Sequence, residues 1–283
     1  MSTLLEPFDY AFFRHGMAVA TLAGALCGLV GIYVVLRGMS YIGHGLSHAI
    51  FGGAVASYVT SINFYIGAGV WGLVSALLIN KVARRRTIGA DAAIGVVTTA
   101  SFAVGLALIS RFGGFTRNFE AALFGNVLGV TLGDVWVVAG VTLFAAAVVF
   151  FGYRQLLFAT FDPEVAEVSG VSTARADVLL AITLAATITA TMNVLGVTLI
   201  AAVLVIPAVI ARLLTDSFSR MLWISVTVGA VCGFFGMYLS YYLNVSSGAS
   251  VVLTAAVVFV VAFVLSGVRR RRLPAEAGAA HLA

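Results

Sequence analysis

Asp177-Val-Leu-Leu-Ala-Ile-Thr-Leu-Ala-Ala-Thr-Ile-Thr-Ala-Thr-Met-Asn193-Val-Leu-Gly196-Val-Thr-Leu-Ile-Ala-Ala-Val-Leu-Val-Ile-Pro207-Ala-Val-Ile-Ala211 carries no charge after its first residue. A helix rises about 1.5 Å per residue and the bilayer core is about 30 Å thick, so about 20 apolar residues make one crossing. The apolar run over 175–213 is too long for that, and it divides near Asn193 and Gly196 into 175–192 and 195–213. Outward from it, comparable segments lie at 14–36, 43–60, 62–80, 91–110, 134–153, 221–242 and 248–267. The runs are continuous rather than alternating, which predicts helices and not a barrel. The expected fold is all-α: a polytopic transmembrane helical bundle of about nine crossings, eight if one segment fails to span. Phe119–Val130 is too short to cross and is expected to lie in the interface or re-enter.

Composition agrees. Of the 283 residues 61% are hydrophobic and 10% charged, against roughly 25% charged in soluble domains, and the mean hydropathy is +1.10. Residues 1–268 read as one transmembrane domain and 269–283 as a basic, disordered cytoplasmic tail. The first residues carry Glu6 and Asp9 where a cleavable signal would be basic, so none is expected. Lys81 with Arg84–Arg86, and Arg269–Arg272, form two basic clusters. By the positive-inside rule both face the cytoplasm, which puts the N-terminus outside and the C-terminus inside. The net charge of +5 is then a topology signal and no sign of nucleic-acid binding. Cys27 and Cys232 sit in apolar segments and read as core residues.

The stretch Met39-Ser-Tyr-Ile-Gly-His44-Gly-Leu-Ser-His48-Ala-Ile-Phe-Gly-Gly53 places two histidines on one helical face. An ionisable pair at apolar depth marks a functional site, and neutral imidazole suits zinc and other borderline metals. His44 and His48 are therefore the candidate metal ligands, and a two-fold dimer would bring four. The plainer alternative is that the rings bond a neighbour such as Ser47 or Tyr41. Gly45, Ala49 and Gly53 repeat every fourth residue, a spacing for close helix packing or a dimer interface. Gly24 with Gly28, and Gly229 with Gly233, repeat it.

Several chemistries are excluded. A Walker A loop needs Gly-Lys-Ser/Thr, and the single lysine, Lys81, lies between Asn80 and Val82. No Glu follows His44, so the H-E-x-x-H metalloprotease motif is absent. Asp91, Asp134 and Asp177 stand near helix starts, where carboxylates cap. No acid lies mid-crossing, which weighs against a secondary, ion-coupled transporter.

Between two crossings lies Phe161-Asp162-Pro163-Glu164-Val-Ala166-Glu-Val168-Ser-Gly170. Asp162 suits a cap, Pro163 the first helical position, Glu164 the first turn and Gly170 the stop. A short helix is expected, with Val165, Val168 and Ala166 offering an apolar side to a partner.

These motifs carry a resemblance. The chain resembles the membrane permeases of ATP-binding-cassette importers for zinc, manganese and iron, a type II importer-like fold. The carriers are Arg37-Gly-Met39-Ser40 leading to Ser47-His48-Ala49; the Phe161–Gly170 segment; Leu123-Phe124-Gly125-Asn126; and Gly196-Val197-Thr-Leu199 followed by Ile206-Pro207-Ala208. The resemblance implies a homodimeric pore in the cytoplasmic membrane of a prokaryote, a separate pair of ATP-binding subunits and an extracytoplasmic metal-binding protein. It makes Asp162, Pro163, Glu164, Ala166 and Gly170 the coupling segment and His48 a metal residue, with no tightly bound cofactor. His44 stands where the family usually has an acid, and nitrogen in place of oxygen tilts the expected cargo towards zinc, ahead of manganese or ferrous iron.

Overall fold

Residues 5–83, 89–112, 123–125 and 129–272 are described by a computed structural model of the chain. Arg84–Arg86, Arg117, Asn126, most of the expected interfacial piece 119–130 and residues 273–283 lie outside them. After a 3-10 turn at Glu6–Asp9, the chain forms α1 (Ala11–Leu36), α2 (Ser40–Val59), α3 (Phe64–Ala83), α4 (Ala90–Phe112), α5 (Leu132–Phe151), α6 (Tyr153–Phe161), α7 (Pro163–Val168), α8 (Thr173–Leu195), α9 (Ile200–Leu214), α10 (Phe218–Leu243) and α11 (Ser247–Arg272). Among the described residues no strand occurs.

Seven of these helices are long and apolar enough to cross a membrane: α1, α3, α4, α5, α8, α10 and α11. Helix α2 is diluted by glycine, serine and histidine, and α9 has only 15 residues with Pro207 inside it. With these two, the described residues form nine long helices, in line with the expected crossings. Large apolar side chains such as Val74, Leu143, Phe150 and Val257 cover the outside, as a lipid-facing surface requires. Helix α11 continues through Arg272.

Helices α1 and α8 form the centre; in each, 72% of the most apolar window is buried. Three buried threonines of α8 are satisfied within the helix. Thr183, Thr187 and Thr191 donate to the carbonyls of Leu179, Thr183 and Thr187 at 2.7–2.8 Å, so threonine is tolerated at apolar depth. Cys27 and Cys232 are buried and free.

The small residues of α1 and α10 bring two backbones together. A Cβ on Gly24 would lie 2.0 Å from the Gly229 carbonyl oxygen, and one on Gly233 would lie 2.2 Å from that of Ala20. Ser225 Oγ donates to the Gly28 carbonyl at 2.7 Å across the same seam. Without a hydrophobic drive between helices in lipid, such backbone approach and interhelical hydrogen bonding hold the pair.

The expected division of the long run is real: α8 ends at Leu195 and α9 begins at Ile200. Gly196 sits against Leu123–Gly125, where a Cβ would lie 2.4 Å from the Leu123 carbonyl oxygen. Thr198 donates to that oxygen from its backbone N at 3.2 Å and from Oγ1 at 2.6 Å. Two motifs far apart in sequence therefore meet at one end of the bundle.

At this end the starts of α3 and α5 and the end of α8 share one carboxylate. Asp134 caps α5 in a box with Thr131, whose N and Oγ1 both donate to Oδ2 at 2.7 Å. The expected capping role holds, and Asp134 does more. Tyr65 Oη donates to Asp134 Oδ1 in a short hydrogen bond, and Asn193 Nδ2 donates to Tyr65 Oη at 3.0 Å. Asp134→Ala strands these donors and is expected to cost about 3 kcal/mol. The check is the thermal unfolding midpoint in detergent, where Tyr65→Phe should cost less because it removes a donor instead of orphaning several.

Candidate metal pair and coupling segment

Ser40 starts α2, so His44 lies about 6 Å and His48 about 12 Å along it. Their ring centroids are 4.6 Å apart, edge to face, and His48 packs edge-on to Phe102 of α4 at 5.3 Å. His48 is half-buried and His44 exposed, beside an exposed Tyr41 one turn earlier. The pair thus opens onto the outer surface of the single protomer instead of into its interior. Ser47 Oγ donates to the backbone carbonyl of His44 at 2.8 Å, so this hydroxyl bonds backbone and no imidazole. Among the described residues no group of three or more His, Cys, Asp or Glu forms a metal cluster. One chain therefore offers two nitrogen donors, half of a tetrahedral set.

The opposite face of α2 is covered by the protomer's own helices. A Cβ on Gly45 would lie 2.4 Å from Ile94 Cγ2, and one on Gly53 would lie 2.3 Å from Trp71 Cβ; Ala49 is fully buried. Gly45, Ala49 and Gly53 are packing residues, as the spacing suggests. This face of α2 packs against α3 and α4 of the same protomer.

The expected short helix is α7. Asp162 accepts from Val165 N at 3.0 Å, Pro163 opens the helix and Glu164 lies in its first turn. The stop is a Schellman turn: Gly170 N bonds Glu167 O at 3.0 Å and Val171 N bonds Ala166 O at 2.9 Å. Gly170 adopts φ +80°, which favours glycine. One expected residue turns the other way. Ala166 is fully buried against the bundle, whereas Val168 is 92% exposed and Val165, Phe158 and Phe161 are exposed with it. The outward apolar patch is thus formed by Phe158, Phe161, Val165 and Val168, and Ala166 seats α7 on the protomer.

Asp177 was expected to cap α8, and it instead pairs with Arg37 at 2.5 Å. Arg37 Nε also donates to Thr160 Oγ1 on α6 at 3.1 Å. This junction was not legible in the sequence, since its members lie up to 140 positions apart.

Among the described residues, nine long helices with an apolar exterior, a histidine pair on one face and a short capped helix at one end make a polytopic membrane bundle. The model of the ABC 3 transport family matches residues 9–266, and the chain belongs to that family, the membrane permeases of metal ABC importers, in which a separate subunit hydrolyses ATP. The manganese transport system membrane protein MntC of Halalkalibacterium halodurans is 36% identical over 270 residues, covering 94% of this chain and 92% of the relative. The chelated iron transport system membrane protein YfeC of Yersinia pestis is 33% identical over 263 residues, covering 93% and 89%. The solved structure of PsaBC from Streptococcus pneumoniae in complex with Fab matches with a TM-score of 0.84 and 32% identity, covering 93% of this chain and 95% of that one.

Proposed function

We propose that two copies of this chain form the pathway of an importer for a divalent transition metal, with the His44–His48 pairs of the two copies facing one another. The observation that carries this is the surface-facing pair, whose rings have neither a hydrogen bond nor a third metal-ligating neighbour among the described residues. Two symmetric pairs supply four nitrogens. A transported ion needs ligands that replace part of its hydration yet release it, and neutral imidazoles without a nearby carboxylate suit that.

The end bearing α6, α7 and Arg37 is the cytoplasmic one. Asn80 and Ala83, beside Lys81 and the basic cluster that follows, line a cavity there together with Thr160 and Asp177, in accord with the positive-inside rule. This puts the N-terminus outside and leaves the Phe158, Phe161, Val165, Val168 patch for an ATP-binding subunit. An external metal-binding protein delivers the ion at the opposite end.

The nitrogen-only donor set favours zinc over manganese. The relatives are named as manganese and chelated-iron permeases, which favours manganese or iron as the second reading. Competition uptake of the three labelled ions into proteoliposomes containing the complete importer decides between them. His44→Asp replaces a soft donor with a hard one, and the expected outcome is about a tenfold fall in the zinc-to-manganese uptake ratio. An unchanged ratio would show that position 44 does not set selectivity.

A further inference from the structure

The metal pair and the coupling segment sit on different helices, and one side chain joins them. Arg37 is the last residue of α1's C-terminal turn, a Schellman stop in which Gly38 N bonds Val35 O at 3.1 Å and Met39 N bonds Val34 O at 3.0 Å. Ser40 then begins α2. Only Gly38 and Met39 separate Arg37 from α2, and both are held by hydrogen bonds to α1, so a short, tied turn joins the Arg37 backbone to the start of α2. His44 follows one turn further on.

The guanidinium reaches the two arms that carry α7. Its Nε donates to Thr160 Oγ1 at 3.1 Å, two residues before the Asp162 cap. Its Nη1 donates to Asp177 Oδ1 at 2.5 Å, near the start of α8 on the other side of α7. Thr160 is itself oriented, because its hydroxyl donates to the Leu156 carbonyl at 2.6 Å and presents a lone pair to Arg37. Arg37 is 11% exposed at the side chain, and its Nη2 is buried with no partner among the described residues. These groups wall a cavity of about 480 Å³ bounded by α1, α2, α3, α4, α6, α8 and Pro163 at the start of α7. The cavity leaves α6 and α8 room to shift, and the fork ties any such shift to α1 and α2. Charge-assisted hydrogen bonds in a low-dielectric site are the strongest non-covalent link available for that task.

We infer that Arg37 is the positioning residue that transmits displacement of α7 to the His44–His48 pair, through one bond to Thr160 and one to Asp177. The inference rests on the importer reading above. Lysine in place of Arg37 keeps the charge and can satisfy Asp177, but it lacks the planar fork needed to hold Thr160 at the same time. Valine in place of Thr160 keeps the shape and removes the hydroxyl, and with it the acceptor for Arg37 and the donor to the Leu156 carbonyl.

The test measures metal ions moved per ATP hydrolysed by the complete importer in proteoliposomes, for wild type, Thr160→Val, Thr160→Ser, Arg37→Lys and the Arg37→Lys/Thr160→Val pair. Thr160→Val and Arg37→Lys should each lower the ratio about tenfold, the scale of one hydrogen bond to a charged group, with assembly and equilibrium metal binding unchanged. Thr160→Ser should retain the wild-type ratio, and the double variant should be no worse than Arg37→Lys alone. A wild-type ratio in Thr160→Val, or an additive fall of about a hundredfold in the pair, overturns the inference. If Arg37→Lys does not assemble, the Thr160→Val and Thr160→Ser ratios decide by the same criterion. A wild-type complex that moves no metal would overturn the importer reading itself, a result distinct from variants that match an active wild type.

Discussion

His48→Ala is expected to abolish metal uptake while the assembly remains intact. His48 packs on Phe102 and makes no hydrogen bond among the described residues, so its loss leaves no buried polar group stranded. In the proposed site its loss removes one of the two donors of each protomer. Groups that only support a metal ligand are worth about 10–100-fold in affinity or activity, so removal of a ligand should exceed about a hundredfold in uptake rate. The measurement is initial uptake of labelled zinc and manganese into proteoliposomes, with the amount of assembled complex measured in parallel. His44→Ala should have a smaller effect than His48→Ala. His44 is exposed and its ring is held only by the edge of His48, so it is the less well-positioned donor. Wild-type uptake by His48→Ala would remove the site assignment.

Gly24→Ala is expected to have the largest effect on stability. The added Cβ would lie 2.0 Å from a backbone oxygen of Gly229, and a backbone atom cannot rotate aside as a side chain can. Separation of α1 from α10 at that point also strains the adjoining contacts at Gly28, Gly233 and Ala20 and the Ser225–Gly28 hydrogen bond. Overpacking a tight interior costs about 1–3 kcal/mol and more where backbone must move; here about 4 kcal/mol or loss of folded protein is expected. Thermal unfolding in detergent and protein yield in membranes check this. Gly140→Ala provides the contrast, since nothing lies within 4 Å of a Cβ there, and it should leave both unchanged.

The helices themselves were legible because lipid imposes a simple rule: each backbone polar group must be satisfied within its own segment, so every crossing is a long apolar helix. The break at Gly196 and the α7 stop at Gly170 were legible for local reasons of chain length and turn chemistry. The face that each small residue serves was not legible. Gly24 and Gly45 share one spacing, yet one meets α10 and the other α4, and periodicity does not name the neighbour. Ala166 shows the same limit on a smaller scale, since six residues of helix cannot reveal which side rests on the bundle. Arg37, Asp177 and Thr160, like Tyr65, Asp134 and Asn193, are single polar residues on separate helices. Their chemistry was visible in the sequence, and their convergence is a property of the packed bundle alone.

In the proposed pathway, paired imidazoles from α2 hold the ion in transit. X-ray absorption at the metal edge, on the complete importer loaded with zinc or manganese and stalled before ATP hydrolysis, reads the ligand atoms directly. The predicted spectrum shows imidazole nitrogen scattering that is lost in the His44→Ala/His48→Ala pair. An oxygen-only shell, or an imidazole signal that survives both substitutions, would contradict the claim.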